Sequence, residues 1–281
     1  MPQIKGDSNR MPLLNQPRLT VVKLLKRLFA KVRFRGKGTI LSFICPKNEI
    51  IDIDLFGYVF RCDLSEWIQR SIFLYGYDEE ALHFIEKNLK NGDIFVDIGA
   101  NVGFYSLLAS SLVGENGRVI AIEPSAAICA KLKETIERNS IHNILILNIG
   151  LGKEHGFLNL YSNPMSRNSS ATMVAYDAPE VTRVEVDTLD SISQKYQLDE
   201  IAYIKIDVEG FEPDVIEGAK ILLQNGRIRV IQSEFNAYWL QKHGSSPQKL
   251  HDSLLASGFE DAEGSPNFVS NCIVDRFFIR Q

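Results

Sequence analysis

The sequence predicts an α/β fold built on a doubly wound, mostly parallel sheet, and three observations carry this prediction. Apolar strand-like segments alternate with helical segments from Ile94 onward, the pattern of a parallel sheet with helices on both faces. A turn of small residues, 99–103, directly follows the first of these strands. Acidic residues stand at several strand ends, where a sheet of this kind places its ligand crevice.

The elements follow from the length and composition of each apolar segment. The 281-residue chain is long enough for one such domain and an extension. Strands are expected over 94–98, 118–122, 143–149, 201–207, 228–234 and 272–279. Helices are expected near 79–89, 104–113, 125–139, 188–196, 213–225 and 247–257.

The N-terminal part differs from the rest in charge. Residues 1–38 hold ten basic residues and one acidic residue, Asp7. Apolar residues recur at helical spacing over 19–34 with basic residues between them, which indicates a basic amphipathic helix. Such a helix packs on the main domain or on a second copy of the chain, giving a homo-oligomer, or lies peripherally on an anionic membrane surface.

We therefore expect three regions: a basic tail and amphipathic helix over 1–38, short N-terminal strands over 39–75, and the α/β domain over 76–281. Residues 39–62 alternate apolar and polar side chains between turn signals, which favours two or three antiparallel strands. Residues 39–281 hold 21 basic and 34 acidic residues. This acidic balance argues against a nucleic-acid partner, because binding depends on neutralising phosphates.

The location expected from the sequence is the cytoplasm. The four cysteines lie far apart without metal-ligand spacing, so reduced thiols are the default expectation. No apolar run approaches the roughly 18 residues of a membrane span, and no export signal is recognised.

The turn after the first strand carries the main chemical signal. It reads Asp97-Ile98-Gly99-Ala100-Asn101-Val102-Gly103. Glycines allow a ligand to approach the backbone, but a carboxylate here would repel the pyrophosphate of a dinucleotide. S-adenosyl-methionine has a sulfonium and an ammonium group and no phosphate, so it suits this turn.

Two further strand ends add acids. Glu123 closes the second strand, 26 positions after Asp97, where a carboxylate can accept hydrogen bonds from ribose hydroxyls. Asp207 and Glu209 follow the strand at 201–207, where substrate and methyl group should meet. Glu212 and Asp214 flank Pro213 and read as an acidic helix start.

Taken together, these segments resemble the FkbM-type methyltransferases, with the class I, Rossmann-like methyltransferase fold. The resemblance covers roughly residues 75–279 and rests on 75–78, 91–93, 96–103, 123–124 and 204–210. It implies O-methylation by in-line transfer from S-adenosyl-methionine and an antiparallel C-terminal strand in the sheet. The cofactor-binding residues it implies are Asp97, Gly99, Ala100, Asn101, Gly103, Glu123 and, on the adenine side, Asn148.

Asp207 and Glu209 are the first candidates for a base or acceptor-hydroxyl binder, ahead of His243 and His155. Glu234 points toward the same crevice by topology, and Asn236 is expected to join it. No ligand set for a metal is fixed, so no metal site is assigned.

The implied acceptors are small molecules or glycans, including natural products and lipid-linked molecules. The loop 162–170, together with the strands before residue 75, is expected to shape the acceptor pocket. Two alternatives stay open: a non-catalytic cofactor-binding module of the same fold, and a nicotinamide-dependent oxidoreductase. The missing G-x-G-x-x-G argues against the second.

Overall fold

The computed structural model describes residues 21, 22, 24, 37–76, 78–163 and 171–280. They belong to two compact units. The first comprises the described residues of Met1–Ile51 and Cys62–Tyr77, and the second those of Asp52–Arg61 and Asp78–Gln281.

The N-terminal elements are two helices and a hairpin: α1 (Lys37–Ile44), β1 (Ile50–Leu55), β2 (Tyr58–Asp63) and α2 (Trp67–Tyr75). The strands predicted over 39–62 are confirmed for the β1–β2 hairpin and wrong for 39–44, which are helical. Leu41 and Cys45 lie one helical turn apart and are both buried. Their spacing therefore fits a helix with one buried face. Residues 67–75, expected among strands, are helical too.

The amphipathic helix predicted over 19–34 lies mostly outside the described residues. Val21, Val22 and Leu24, which are described, are helical. Within the described part of the chain, no helix is both long and apolar enough to span a membrane. The division of the chain at residues 38 and 75 stays a prediction.

The second unit alternates strands and helices as predicted. Its helices are α3 (Glu79–Asn88), α4 (Phe104–Val113), α5 (Ala126–Arg138), α6 (Leu189–Tyr196), α7 (Glu212–Glu217), α8 (Lys220–Gln224), α9 (Ala237–Lys242) and α10 (Pro247–Ala256). The strands are β3 (Ile94–Ile98), β4 (Arg118–Ile122), β5 (Ile144–Leu147), β6 (Gly150–Leu151), β7 (Gly156–Ser162), β8 (Ala171–Thr172), β9 (Glu180–Asp187), β10 (Ile201–Ile206), β11 (Ile228–Asn236), β12 (Phe259–Asp261) and β13 (Ile273–Arg280).

Seven strands form the main sheet in the order β12-β13-β11-β10-β3-β4-β5. The pairings from β11 to β5 are parallel, whereas β13 runs antiparallel to β11 and β12. This confirms the predicted fold class, including the antiparallel C-terminal strand. A second sheet, β6-β9-β7-β8, holds the strand-like pieces expected between 156 and 186.

The sheet changes winding direction between β3 and β10. The chain proceeds from β3 through β4 to β5 on one side and from β10 to β11 on the other. Ligands of open α/β sheets bind beyond the carboxyl ends of the strands at such a point. The register places Asp97 beside Lys205 and beside Ala121, so the candidate turn lies at this position.

The hydrophobic core explains why β10 occupies the middle of the sheet. All six of its residues are buried, as expected of a parallel strand covered on both faces. Ile204 and Ile206 pack in the same cluster as Val96 and Ile98 of β3. The single charge in β10, Lys205, is buried as well.

Two local features differ from the sequence expectation. The helix predicted over 213–225 is divided into α7 and α8 near Gly218, where an added Cβ would lie 2.0 Å from the Gly152 carbonyl oxygen. Helix α9 lies in a segment for which the sequence predicts no helix. It begins at Asn236, whose side chain accepts a hydrogen bond from the Trp239 N–H.

Gly99→Ala should destabilise the protein, because this glycine keeps β3 against β10. Its φ is +81°, and an added Cβ would lie 1.8 Å from the backbone oxygen of Asp207. We expect a loss of about 2–4 kcal/mol in unfolding free energy by urea denaturation, from overpacking and the left-handed backbone. Gly156→Ala is the control, since its added Cβ meets nothing within 4 Å. Equal losses in both variants would contradict this reading.

Candidate functional site

The turn after β3 depends on three residues with left-handed backbone. Their φ angles are 81° at Gly99, 48° at Asn101 and 86° at Gly103. Glycine adopts this conformation without steric cost and asparagine tolerates it better than most residues. The N–H groups of Gly99 and Ala100 donate to the Ile122 carbonyl at 2.9 and 3.0 Å. The turn is therefore fixed against the end of β4.

Glu123 is bonded directly to this turn. Its Oε2 accepts from the Asn101 N–H at 3.0 Å and its Oε1 from the Ser125 N–H at 2.9 Å. The residue is 6% exposed, and burial raises its pKa to about 7, against the lowering effect of the two backbone donors. The structure thus brings together the predicted turn and the predicted strand-end acid.

Asn148 lies beside the same strand end. Its side-chain amide donates to the carbonyl oxygens of Glu123 and Pro124 at 2.9 and 3.0 Å. These bonds hold the segment after β5 against the segment after β4. Contact of Asn148 with an adenine ring stays a prediction.

Asp97 is fully buried behind the turn. Ser106 Oγ donates to its Oδ2 at 2.6 Å, while Oδ1 is buried without a hydrogen-bond partner among the described residues. Burial raises the pKa of Asp97, opposed by the nearby Lys205 charge. Because Asp97 is fully buried, a ligand's ammonium group would reach its carboxylate only through a bridging group. The predicted role of Asp97 in cofactor binding stays a prediction.

Lys205 lies beside the predicted site residues but is not predicted as one of them from the sequence. Its Nζ contacts Asp207 Oδ2 at 2.8 Å and lies 4.7 Å from the centre of the Tyr105 ring. Burial opposes the charged form, but Asp207 and Asp97 raise the pKa of Lys205 above its ordinary value. The available signal was a lysine inside an otherwise apolar, fully buried strand.

Three carboxylates meet at the ends of β10 and β11. Asp207, Glu209 and Glu234 each offer an oxygen, and these oxygens lie within 4.8 Å of one another. We call this set the carboxylate cluster. Glu209 Oε2 accepts from Asn236 Nδ2 at 3.2 Å, so Asn236 lies beside the cluster, and its role in the site stays a prediction. Glu209 itself has a left-handed φ of 52°, a conformation that costs free energy and concentrates at functional sites.

Glu212 supports the turn that presents Glu209. Its Oε1 accepts from the Val208 N–H at 3.2 Å and the Gly210 N–H at 3.1 Å. It is fully buried, and burial raises its pKa to about 8 although the backbone donors lower it. Glu212 starts α7 as expected and also holds the preceding turn in place.

The two histidines considered as bases have other partners. His243 Nε2 is hydrogen-bonded to Asp214 Oδ2, and its ring lies 4.7 Å from that of Phe211. His155 is exposed, with Nδ1 3.9 Å from Asp187 Oδ1. Neither contact joins a histidine to the carboxylate cluster.

Aromatic rings collect next to the turn at Gly210. An added Cβ there would lie 2.6 Å from the Trp239 Cβ, so this turn rests on Trp239. The Trp239 ring is 5.4 Å from Tyr176 and 4.9 Å from Tyr238, and Lys242 Nζ lies 5.6 Å from its centre. The Tyr161 ring lies 6.0 Å from that of Tyr176. We call these four rings the aromatic shelf, whose members are Tyr161, Tyr176, Tyr238 and Trp239. Of the predicted pocket loop 162–170, residues 164–170 lie outside the described part.

Comparison with known proteins gives a family match. Residues 97–260 match the Methyltransferase FkbM domain. The chain is 22% identical over 214 residues to a hexuronic acid methyltransferase, AglP, of Haloferax volcanii, covering 76% of this chain and 83% of that protein. It is 26% identical over 143 residues to Methyltransferase 1 of Beauveria bassiana, covering 44% and 57% respectively.

Solved structures show a similar arrangement at low identity. An FkbM methyltransferase from Methylobacillus flagellatus aligns with a TM-score of 0.45 and 13% identity, over 93% of this chain and 58% of that one. Fibrillarin from Aeropyrum pernix, solved with S-adenosyl-methionine, aligns with a TM-score of 0.42 and 13% identity over 84% of each chain.

Glu212→Gln should flatten the pH dependence of stability. The pKa of Glu212 rises from 4.5 to about 8 on folding, so unfolding releases its proton between these values. The unfolding free energy therefore falls as pH rises through this window, on the order of 1.4 kcal/mol per pH unit for one full proton. Glutamine keeps the acceptor oxygen and has no such proton. Denaturant titrations between pH 5 and 8 measure the slope.

The control for this prediction is Glu217→Gln, a half-exposed acid of α7, whose slope should match the unmodified protein. Glu123 adds to the slope in the same direction up to about pH 7, so part of it remains in Glu212→Gln. An identical slope in Glu212→Gln and the unmodified protein would contradict the burial of the Glu212 charge.

Proposed function

Because the chain belongs to the FkbM methyltransferase domain family, we propose that it transfers a methyl group from S-adenosyl-methionine to a hydroxyl of a sugar. The observation that carries the proposal is the bond from the Asn101 N–H to Glu123 Oε2 at 3.0 Å. It joins the glycine turn to a strand-end carboxylate at the winding switch of the sheet. Two members of the carboxylate cluster, Asp207 and Glu209, follow β10, which pairs with β3 in the sheet.

Each part of the cofactor has a candidate partner. The Glu123 carboxylate suits the two ribose hydroxyls, and the backbone of Gly99 and Gly103 admits the methionine portion. Asp97 is the partner for the ammonium end through a bridging group. The segment that Asn148 holds against β4 forms the adenine side.

Methyl transfer of this kind is a single displacement reaction. The acceptor oxygen attacks the methyl carbon, the carbon–sulfur bond breaks, and its electron pair leaves with sulfur as a neutral thioether. Holding the oxygen in line supplies on the order of 7–11 kcal/mol. The hydroxyl proton passes to a carboxylate, and a positioned base adds roughly 10²–10⁴-fold. Asp207, beside Lys205, and Glu209, held by Asn236, are the candidates for this role.

A sugar acceptor is supported by two observations. One is the similarity to the hexuronic acid methyltransferase of Haloferax volcanii. The other is the aromatic shelf beside Gly210, because aromatic rings offer a rigid apolar surface on which the C–H face of a sugar packs. Lys242, over Trp239, would place a point positive charge where a uronic acid carries its carboxylate.

Lipid-linked sugars belong to the same proposal. The basic amphipathic helix predicted over 19–34 would hold the chain at an anionic membrane surface where such acceptors reside. This segment lies mostly outside the described residues, so the proposal rests on its sequence.

Glu123→Ala should weaken binding of S-adenosyl-homocysteine by roughly 1.5–3 kcal/mol, the usual cost of losing hydrogen bonds to a charged group. Binding to ionised Glu123 requires loss of a proton below its pKa of about 7. Affinity in the unmodified protein should therefore fall as pH drops below 7, and calorimetry measures both effects. Glu137→Ala, an exposed acid of α5, is the control. Unchanged affinity in Glu123→Ala would remove the ribose assignment, and NAD binding in the same assay would favour an oxidoreductase.

Trp239→Ala should raise the KM for a sugar acceptor by about tenfold, equivalent to ~1.4 kcal/mol, because it removes the central ring of the shelf. Transfer of labelled methyl to uronic acids, neutral sugars and natural-product alcohols measures it. Affinity for S-adenosyl-homocysteine should stay within about twofold. Trp67→Ala, on helix α2, is the matched control. Intact cofactor binding with no methylated acceptor would favour the non-catalytic module.

A further inference from the structure

The carboxylate cluster has the dimensions of a cation site. Its oxygens, one each from Asp207, Glu209 and Glu234, lie within 4.8 Å of one another. Oxygens on opposite sides of a divalent cation at about 2.1–2.4 Å are about 4.2–4.8 Å apart. The spacing of the three oxygens is therefore compatible with one ion between them.

Glu234 provides an independent indication of a missing partner. Its Oε2 is buried and has no hydrogen-bond partner among the described residues. An unpaired buried carboxylate oxygen is costly, and native structures rarely leave one without water, a proton or an ion. Burial raises the pKa of Glu234 well above its usual range, and the charges of Asp207 and Glu209 add to this effect.

The two donor side chains beside the cluster do not supply that partner. Lys205 Nζ contacts Asp207 Oδ2 at 2.8 Å, and Asn236 Nδ2 donates to Glu209 Oε2 at 3.2 Å. Neither is bonded to Glu234 Oε2. Among the described contacts of the cluster, three carboxylates thus face the ammonium group of Lys205, which is bonded to Asp207.

We propose that Asp207, Glu209 and Glu234 bind one divalent cation of the oxygen-preferring kind, Mg²⁺ or Mn²⁺. Three carboxylate oxygens form half of the octahedral shell that these ions require, and water fills the rest. Glu234 adds a third carboxylate ligand to the two that follow β10, Asp207 and Glu209. Its position in β11, the parallel neighbour of β10, brings it to the crevice.

On the basis of the proposed function, the cation has a direct use in methyl transfer. Two neighbouring sugar hydroxyls replace two of its waters. Coordination acidifies a hydroxyl and fixes its oxygen in space. The released proton passes to solvent water. The oxygen then attacks the methyl carbon, and the carbon–sulfur bond breaks with its electron pair on sulfur.

The test uses the full chain, freed of metal with a chelator, in the absence of cofactor and acceptor. Loss of the electron paramagnetic resonance signal of free Mn²⁺ counts bound ions. We expect one saturable site per chain, displaced by excess Mg²⁺. Glu234→Gln and Glu209→Gln should each weaken binding at least about tenfold. Glu217→Gln, an acid outside the cluster, should leave binding unchanged.

No saturable Mn²⁺ binding below about 1 mM, or equal binding by Glu234→Gln and the unmodified protein, would overturn the site. Thermal unfolding shows whether each variant is folded, and Asp207→Asn gives a third ligand change if one is not. Calorimetry of metal-free protein with S-adenosyl-homocysteine separates the two proposals. Mn²⁺ binding without cofactor binding refutes the proposed function and keeps the site, whereas the reverse result refutes the site alone.

Discussion

The burial of several acidic side chains at the strand ends is the constraint on which the rest of the site depends. Asp97, Glu123 and Glu212 are all buried, and Lys205 is a buried cation in contact with Asp207. Burial raises the pKa of each of these three carboxyls, because removing a charge from water is costly without a partner. A phosphate ligand would increase this cost. A sulfonium, an ammonium or a metal cation would lower it.

The backbone places these charges within one crevice. Gly99 lies against the Asp207 carbonyl, so the turn after β3 and the end of β10 form one surface. Asn101 links the same turn to Glu123, and Asn236 links β11 to Glu209. Each contact joins neighbouring strands of one parallel sheet. The proposed cofactor, acceptor and cation sites therefore share neighbouring strands of one sheet, as methyl transfer in line requires.

Much of this arrangement could be predicted from the sequence. Apolar runs gave the positions of β3, β4 and β10, and the glycines at 99 and 103 marked the turn. Local periodicity failed where tertiary contacts decide. Residues 39–44 alternate like a strand but form helix α1, since Leu41 and Cys45 are buried together. Helix α9 depends on the Asn236 cap. The contact of Lys205 with Asp207 and the burial of the Glu234 oxygen depend on how the strands pack together. The spacing of residues along the sequence does not predict them.

A crystal structure with bound S-adenosyl-homocysteine tests the central claim most directly. The account predicts ribose oxygens about 2.6–3.2 Å from the Glu123 carboxylate, the amino-acid end over residues 99–103, and the sulfur facing Asp207. A ligand seated elsewhere, with Glu123 still contacting backbone alone, would contradict it.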